Sequence, residues 1–251
     1  MVERNMNAEI QMEVTPFHEL LESRFRQARG LSKGERTKNR LKVAAAKQLN
    51  ELDFINLRVA DICRDAAVST ATFHRYFLDR TEIATDVLDD YLEAMREGSL
   101  YTVTTENEKK VDGIYLATLA WLKSAEANPG ILKCLLQLRD EAPQFAESYQ
   151  KFDHYWYQRI ADNIRSRSSS FSNTDESVAL VAAYALGGMV DDITRKIFIQ
   201  RDTKLLGAVE RIAPTPESLA KLLSMFWHRM VYGGESKFEM SGGFLDTVKS
   251  L

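Results

Sequence analysis

The sequence of 251 residues predicts an all-α protein, and three observations support that class. Apolar residues recur at helical spacing along most of the chain. Alternation of apolar and polar residues is nearly absent, and only residues 101–105 look strand-like. The five prolines fall at expected helix starts or in loops, and none interrupts a periodic stretch. We therefore expect about nine helices and no substantial sheet.

The first predicted helix begins at Ser32. Ser32 and Glu35 have the spacing of a capping box, in which each side chain accepts a hydrogen bond from the other residue's backbone N–H. Apolar residues at helical spacing then extend the helix to about Leu52. An N-terminal extension precedes it, and residues 16–26 have the pattern of a further amphipathic helix.

Two short helices follow around a tight turn. The second predicted helix starts near Val59, with Asn56 as its expected cap. Ser69 is expected to cap the third helix, on which Phe73 and Phe77 lie four residues apart and face inward. This arrangement is typical of a helix-turn-helix.

The outer face of the third helix carries small groups, hydroxyls, one cation and ring donors. Short side chains let the helix backbone approach the major groove of DNA, and polar tips can bond bases and phosphates. Arg75 and Tyr76 are expected to face the groove, and changes at Thr70, Thr72 or Arg75 are expected to alter sequence preference. The full set of predicted DNA contacts is Arg58, Ser69, Thr70, Ala71, Thr72, His74, Arg75, Tyr76 and Arg80.

The helix-turn-helix and its flanks resemble the TetR family of bacterial one-component repressors. The resemblance covers about 45 residues from Thr37 onward. Its motifs are Val59-Ala60-Asp61-Ile62, Ala66-Ala67-Val68-Ser69, Thr72-Phe73-His74-Arg75-Tyr76-Phe77 and Asp79-Arg80-Thr81-Glu82. Three positions depart from the family pattern. Ala67 replaces a glycine of the turn, His74 replaces a tyrosine that contacts phosphate, and Arg80 replaces a lysine. The resemblance implies an operator-binding head and a helical body that encloses an inducer.

Six further helices are predicted in the body, in residues 79–95, 111–127, 128–139, 143–167, 173–200 and 215–232. Asn128 and Asn173 are the expected caps of two of them. Serine-rich residues 166–172 are expected to form a loop. The predicted domains are an N-terminal extension (1–31), a DNA-binding domain (32–80), a ligand-binding and dimerisation domain (81–232) and a C-terminal tail (233–251).

Charge is unevenly distributed along the chain. Residues 24–80 hold thirteen Lys and Arg against six Asp and Glu, a net charge of +7, whereas the remainder holds 20 against 30, a net charge of −10. A basic module on an acidic body favours binding to nucleic acid. The alternative is a solvated basic face without a partner, which the helix-turn-helix pattern disfavours.

Residues 178–190 predict a helix that is apolar almost all round and contains adjacent glycines. Small residues allow another helix to approach closely, so we expect a dimer interface in which this helix packs with the last one. The predicted interface residues are Ala182, Ala183, Ala185, Gly187, Gly188, Leu223, Phe226 and Trp227. The alternative is a buried central helix of a monomer.

Aromatic side chains are concentrated on the helices between these two regions. Rings with hydroxyl or indole N–H groups suit an apolar ligand pocket that has a few orienting polar groups. The predicted pocket residues are Met95, Trp121, Cys134, Tyr149, Phe152 and Trp156. The alternative is that these side chains simply fill the core.

Enzyme motifs are absent from the sequence: there is no Gly-rich phosphate loop, nucleophile elbow or His-Glu-x-x-His. The four histidines are scattered, so no metal or cofactor is expected. An enzyme remains the alternative class, which turnover of a bound metabolite would reveal. The sequence has no signal-peptide core and no apolar run long enough to span a membrane. With only two cysteines, a cytoplasmic protein is expected.

We therefore expect a homodimeric transcriptional repressor that binds a palindromic operator in double-stranded DNA. A small, largely apolar effector is expected to release it. The alternative is a DNA-binding protein of the same fold that acts without an inducer, or as an activator. Whether a small molecule changes the affinity for DNA distinguishes the two.

Overall fold

The computed structural model describes residues 11–104, 112–167 and 175–232. The predicted all-α class is confirmed: these ranges contain eleven α-helices and two short strands. The elements are β1 (Gln11–Val14), α1 (Phe17–Gln27), α2 (Lys33–Leu52), α3 (Val59–Asp65), α4 (Thr70–Phe73), α5 (Arg80–Glu97), β2 (Tyr101–Thr104), α6 (Gly113–Ala127), α7 (Pro129–Glu141), α8 (Pro143–Arg167), α9 (Glu176–Arg195), α10 (Thr203–Ile212) and α11 (Pro216–Tyr232). A π-helical turn, Lys196–Gln200, follows α9.

The chain divides into two compact units. Among the described residues, the first unit contains Met12–Val103 and Ser124–Phe152, and the second contains Gln11, Thr104 and residues 112–123, 153–167 and 175–232. The first unit thus combines α1 to α5 with α7. The predicted domain limits remain predictions.

Helix α2 is central to the first unit. Its capping box forms as predicted: the Ser32 hydroxyl accepts a hydrogen bond from the Glu35 N–H at 3.2 Å, and the Glu35 carboxylate accepts one from the Ser32 N–H at 2.7 Å. Leu41, Ala45 and Leu49 are buried on its inner face. Burial of aliphatic side chains at helical spacing is the main stabilising term for such a helix.

Two lysines connect α2 to α5 through carboxylates. Lys42 Nζ lies 3.0 Å from Asp86 and 2.5 Å from Asp90, and Lys38 Nζ lies 2.8 Å from Asp86. Burial raises the pKa of the Asp90 carboxyl, whereas at Asp86 the two lysines outweigh burial and lower the pKa. The ion pairs therefore fix α5 against α2.

The described part of the N-terminal extension, from residue 12 onward, contributes to the core of the first unit. Strand β1 pairs with β2, and α1 buries Phe17 and Leu21. The Phe17 ring packs edge-to-face on Tyr91 at 5.1 Å, and the Phe17 N–H donates to Asn128 Oδ1 at 2.8 Å. Asn128 occupies the N-cap position of α7, but the prediction that its side chain caps the helix is wrong, because that side chain binds Phe17 instead.

The second unit contains α9, α10 and α11. Its packing includes a hydrogen bond from the Tyr157 hydroxyl to Asp191 at 3.0 Å and a contact of 2.8 Å between His228 Nε2 and Asp112 Oδ2. The structure shows Asp175 as the cap of α9, accepting from the Ser177 N–H, whereas the predicted cap Asn173 lies outside the described residues. Helix α10 was not predicted.

Candidate nucleic-acid interface

The helix-turn-helix consists of α3, a four-residue turn and α4. Ala67 in the turn has a φ of 52°, in the left-handed region that favours glycine. The Val68 N–H donates to the Cys63 carbonyl at 2.9 Å, which closes the turn on the end of α3. The strain expected from an alanine at this position is therefore present in the backbone.

Capping differs between the two helices. Ser69 caps α4 as predicted, since its hydroxyl accepts from the Thr72 N–H at 3.1 Å. The prediction that Asn56 caps α3 is wrong: Arg58 occupies the N-cap position, and Asn56 donates instead to the Asp53 carboxylate. Asp53 lies at the end of α2, three residues before Asn56. Its carboxylate is therefore close enough to accept the hydrogen bonds of Asn56, which does not cap α3.

Helix α4 is short and directs its aromatic residues inward. Its regular part covers only Thr70–Phe73, and turns continue the chain to Tyr76. Phe73 and Phe77 are buried as predicted, with their ring centroids 5.7 Å apart. Seven of the predicted DNA contacts are consequently exposed to solvent, namely Arg58, Ser69, Thr70, Ala71, His74, Arg75 and Arg80. Thr72 and Tyr76 are half-buried.

Four of the predicted contact residues, Ser69, Thr72, His74 and Arg80, also have partners within the protein. The Ser69 and Thr72 hydroxyls lie 2.9 Å apart, and His74 Nδ1 lies 3.1 Å from the Leu78 carbonyl oxygen. Leu78 itself is 78% exposed beside His74.

Arg80 has a structural role that the sequence did not indicate. Its Nη1 donates to the carbonyl of Ile55 at 3.0 Å and to that of Leu57 at 3.3 Å, and its guanidinium lies 4.9 Å from the Phe54 ring centroid. Arg80 therefore holds the loop before α3 against the start of α5. Its contact with a phosphate stays a prediction.

Tyr76 lies next to the beginning of α2. A Cβ atom built on Gly34 would be 3.4 Å from the Tyr76 hydroxyl oxygen, an ordinary van der Waals distance. Gly34 is the second residue of α2. The N-terminus of α2 is thus adjacent to the end of the segment that includes α4.

The predicted dimer residues divide into two groups within the second unit. Four are buried inside the unit, namely Ala183, Gly187, Leu223 and Trp227. Ala185 and Gly188 are exposed, and Ala182 and Phe226 are half-buried. Exposed apolar side chains extend the outer face of α9: Val178 is 48% exposed, Val181 68% and Tyr184 38%. Spacing of three to four residues places these side chains on one side of the helix.

The predicted pocket residues belong to both units. Met95, Tyr149 and Phe152 pack half-buried against the core of the first unit, where Cys134 is completely buried. Burial raises the pKa of the Cys134 thiol to about 12, so the thiol stays protonated at neutral pH. Trp121 and Trp156 belong to the second unit, and the indole N–H of Trp121 is buried without a hydrogen-bond partner.

Among the described residues, no group of three or more His, Cys, Asp or Glu side chains is placed to hold a metal ion. Within the same residues, one helix, Glu176–Gln200, is long and apolar enough to cross a membrane by length and composition. Core and interface helices of globular proteins have the same properties, and α9 packs with α11 inside the second unit.

The chain matches no family model and no curated protein in sequence. Its fold is similar to that of a candidate transcriptional regulator from Pseudomonas aeruginosa PAO1, with a TM-score of 0.57 and 14% sequence identity over 84% of this chain and 95% of that chain. It is also similar to the fatty acid degradation regulator FadR from Bacillus halodurans, with a TM-score of 0.51 and 13% identity over 79% and 95%.

A candidate TetR-family transcriptional regulator from Rhodococcus sp. matches with a TM-score of 0.45 and 19% identity over 70% of this chain and 97% of that chain. At the level of fold, the first two matches define the class: the chain has the helical architecture of these transcriptional regulators.

Proposed function

We propose that this protein is a transcriptional regulator of the TetR type that binds double-stranded DNA in a sequence-specific manner. The observation that carries the proposal is the exposed polar face of the α4 segment, residues 69–77, which buries Phe73 and Phe77 and leaves Thr70, Ala71 and Arg75 open to solvent. Such a face fits the major groove, where short side chains and one arginine can reach base edges.

In the proposed docking, different residues contact the bases and the phosphates. Thr70 and Arg75 read bases, because they are exposed on the outer face of the α4 segment. Arg58, Ser69 and His74 bind phosphates at its edges and fix the register. The fold similarity to regulators supports this use of the surface at the level of analogy.

Binding to operator variants tests the proposal. Arg75→Ala should relax the preference at one position of each half-site, by about 1–3 kcal/mol of discrimination. Lys151→Ala is the matched control, because Lys151 is an exposed helical cation paired with Glu147. Fluorescence anisotropy with single-base operator variants measures both. Equal base preferences in wild type and Arg75→Ala would contradict the proposal.

We infer that the functional form is a homodimer and that a second copy of this chain covers the outer face of α9. The face combines Val178 and Val181 with the small residues Ala185 and Gly188, and it carries no charged side chain between positions 178 and 188. A two-fold axis would pack the same apolar face against itself. One short recognition helix reads few base pairs, so a dimer on a palindromic operator supplies the missing specificity.

We also propose that a small, largely apolar effector releases the protein from DNA. The buried, unpaired indole N–H of Trp121 supports this, because buried donors in proteins are nearly always bonded. A carbonyl or carboxylate oxygen of an effector would satisfy it. In the alternative form of the proposal, the protein binds DNA without an inducer or activates transcription.

Linkage distinguishes the two forms. Fatty acids and aromatic acids are suitable probes, since each combines an oxygen acceptor with an apolar body. Their binding should quench tryptophan fluorescence, and Trp121→Phe should weaken it. Operator DNA must weaken effector binding by the same factor as the effector weakens DNA binding. Equal effector affinity with and without operator would reject the inducible form, as would the absence of binding by every probe. A cytoplasmic location is part of the same proposal.

A further inference from the structure

Three cations stand at the junction between α1 and α2, which precedes the helix-turn-helix. Arg29, Lys33 and Arg36 are all exposed. We propose that this junction is a second DNA-contact surface, which binds the phosphate backbone outside the segment contacted by α3 and α4. The inference rests on the proposed function, and it assigns a partner to the N-terminal extension.

The junction cations lack an acidic partner, unlike the two arginines at the end of α1. Arg24 pairs with Glu97 and Arg26 pairs with Glu22, at 2.7 and 2.6 Å. Among the described residues, no carboxylate forms a salt bridge with Arg29, Lys33 or Arg36. A guanidinium or ammonium group without a counter-charge is available for a phosphate, and its binding releases condensed counterions from DNA.

The position of the junction suits a backbone contact beside the recognition segment. Gly34 lies against the Tyr76 hydroxyl, so Lys33 is one residue away from a direct contact with the end of that segment. The Arg36 Nε donates to the Leu31 carbonyl at 3.0 Å, which holds this side chain over the junction. The three cations without a carboxylate partner therefore lie close to the exposed face of the α4 segment in the first unit.

The helix that leads into the junction is anchored to the rest of the first unit. Helix α1 is anchored by the hydrogen bond from Phe17 N–H to Asn128 and by Arg24 Nη2, which lies 2.7 Å from Glu97. Gly30 has a φ of 78°, a conformation that glycine adopts without strain, and this lets the chain turn from α1 into α2. Cations on such an anchored turn lose less conformational entropy on binding than cations on a free arm.

The test is the salt dependence of DNA binding by Arg29→Gln/Lys33→Gln. Loss of two phosphate contacts in each protomer, four in the proposed dimer, should reduce the slope of log affinity against log salt concentration by about 3.6. The reduction should be the same on operator and on unrelated duplexes, because phosphate contacts carry no sequence information. Neither side chain is buried, and an unchanged thermal unfolding midpoint will verify that the variant is folded.

The matched control is Arg26→Gln/Lys151→Gln, which removes two exposed cations that already have carboxylate partners. An unchanged slope in the control together with a reduced slope in the junction variant supports the inference. A wild-type slope in the junction variant, or equal reductions in both variants, overturns it while leaving the proposed function intact. Absence of sequence-specific binding by the wild type overturns both.

Discussion

A Cβ atom built on Gly187 lies 2.1 Å from Cε1 of Tyr157, whereas one built on the adjacent Gly188 meets no atom within 4 Å. Gly187 is therefore required by packing within the second unit, where the Tyr157 ring lies against the α9 backbone. Gly188 is turned about 100° around the helix and faces outward. The two glycines can be tested separately for folding and for self-association.

Gly188→Leu should leave the protomer folded and abolish the dimer. Its side chain has free space in the single chain, but two-fold symmetry would place a leucine from each protomer in the interface, at about 1–3 kcal/mol of overpacking for each. Sedimentation velocity at micromolar concentration measures the outcome. A wild-type monomer, or a Gly188→Leu dimer of unchanged affinity, would reject the proposed interface.

Gly187→Ala is the complementary variant. The added methyl group would displace Tyr157 and weaken its hydrogen bond to Asp191, so we expect a loss of about 1–3 kcal/mol in the free energy of unfolding. Urea unfolding followed by circular dichroism measures this. Wild-type stability in Gly187→Ala would show that the Tyr157 ring is not held against α9.

Ala67→Gly should stabilise the protein. A non-glycine residue in the left-handed region costs about 1–2 kcal/mol, and glycine removes this cost. Glycine also raises the entropy of the unfolded chain, which offsets roughly 0.4–1 kcal/mol of the gain. We expect a net gain of about 0.5–1 kcal/mol and unchanged DNA affinity. Thermal unfolding of both proteins is the measurement, and a lower midpoint for Ala67→Gly would contradict the strained turn.

Arg80 should affect both the fold and DNA binding. Arg80→Ala removes the hydrogen bonds to Ile55 and Leu57 and the contact with Phe54, so it should lower stability and weaken binding to all sequences alike. It should also reduce the salt slope by about one unit for each protomer, and so by about two units for the proposed dimer. Arg80→Lys keeps the charge but not the planar fork, so its slope should remain that of the wild type. Identical slopes for all three proteins would remove Arg80 from the phosphate contacts.

Asp112 should contribute to stability at neutral pH. Burial opposes its ionised form, but hydrogen bonds from His228 and the Tyr115 N–H lower the pKa of the carboxyl below its ordinary value of 3.8. A carboxyl with a lowered folded pKa stabilises the protein above the unfolded pKa, and this contribution is lost as the pH falls through the folded pKa. Asp112→Asn should be less stable at neutral pH, and the difference should shrink below pH 3.8. A constant difference from about pH 7 to pH 3 would exclude this titration.

Signals that depend on one helical turn predicted the local structure well. The Ser32–Glu35 capping box, the Ser69 cap and the inward pair Phe73 and Phe77 form as expected, because each involves residues three or four positions apart. Long-range partners could not be read in this way. The bond between Phe17 and Asn128 joins residues 111 positions apart, and no local pattern indicates it.

Some of the missed features had a local signal. Helix α10 carries Leu205, Val209 and Ile212 at helical spacing, and Asp202 caps it, so the pattern was available in the sequence. The different environments of Gly187 and Gly188 had no such signal, because they depend on where Tyr157 packs. The roles of the DNA-contact, interface and pocket residues stay predictions.

Genome-wide footprinting of the protein on its own genome measures whether a dimer binds specific sequences through the α4 segment. We expect a small set of protected sites, each with two inverted half-sites whose centres are about 34–36 Å apart along the duplex or a multiple of that spacing. Arg75→Ala should protect a broader set of sites, in which the base at one position of each half-site varies. Protection without a shared sequence, or a single unpaired half-site at every position, would show that the protein does not bind DNA as a sequence-specific dimer.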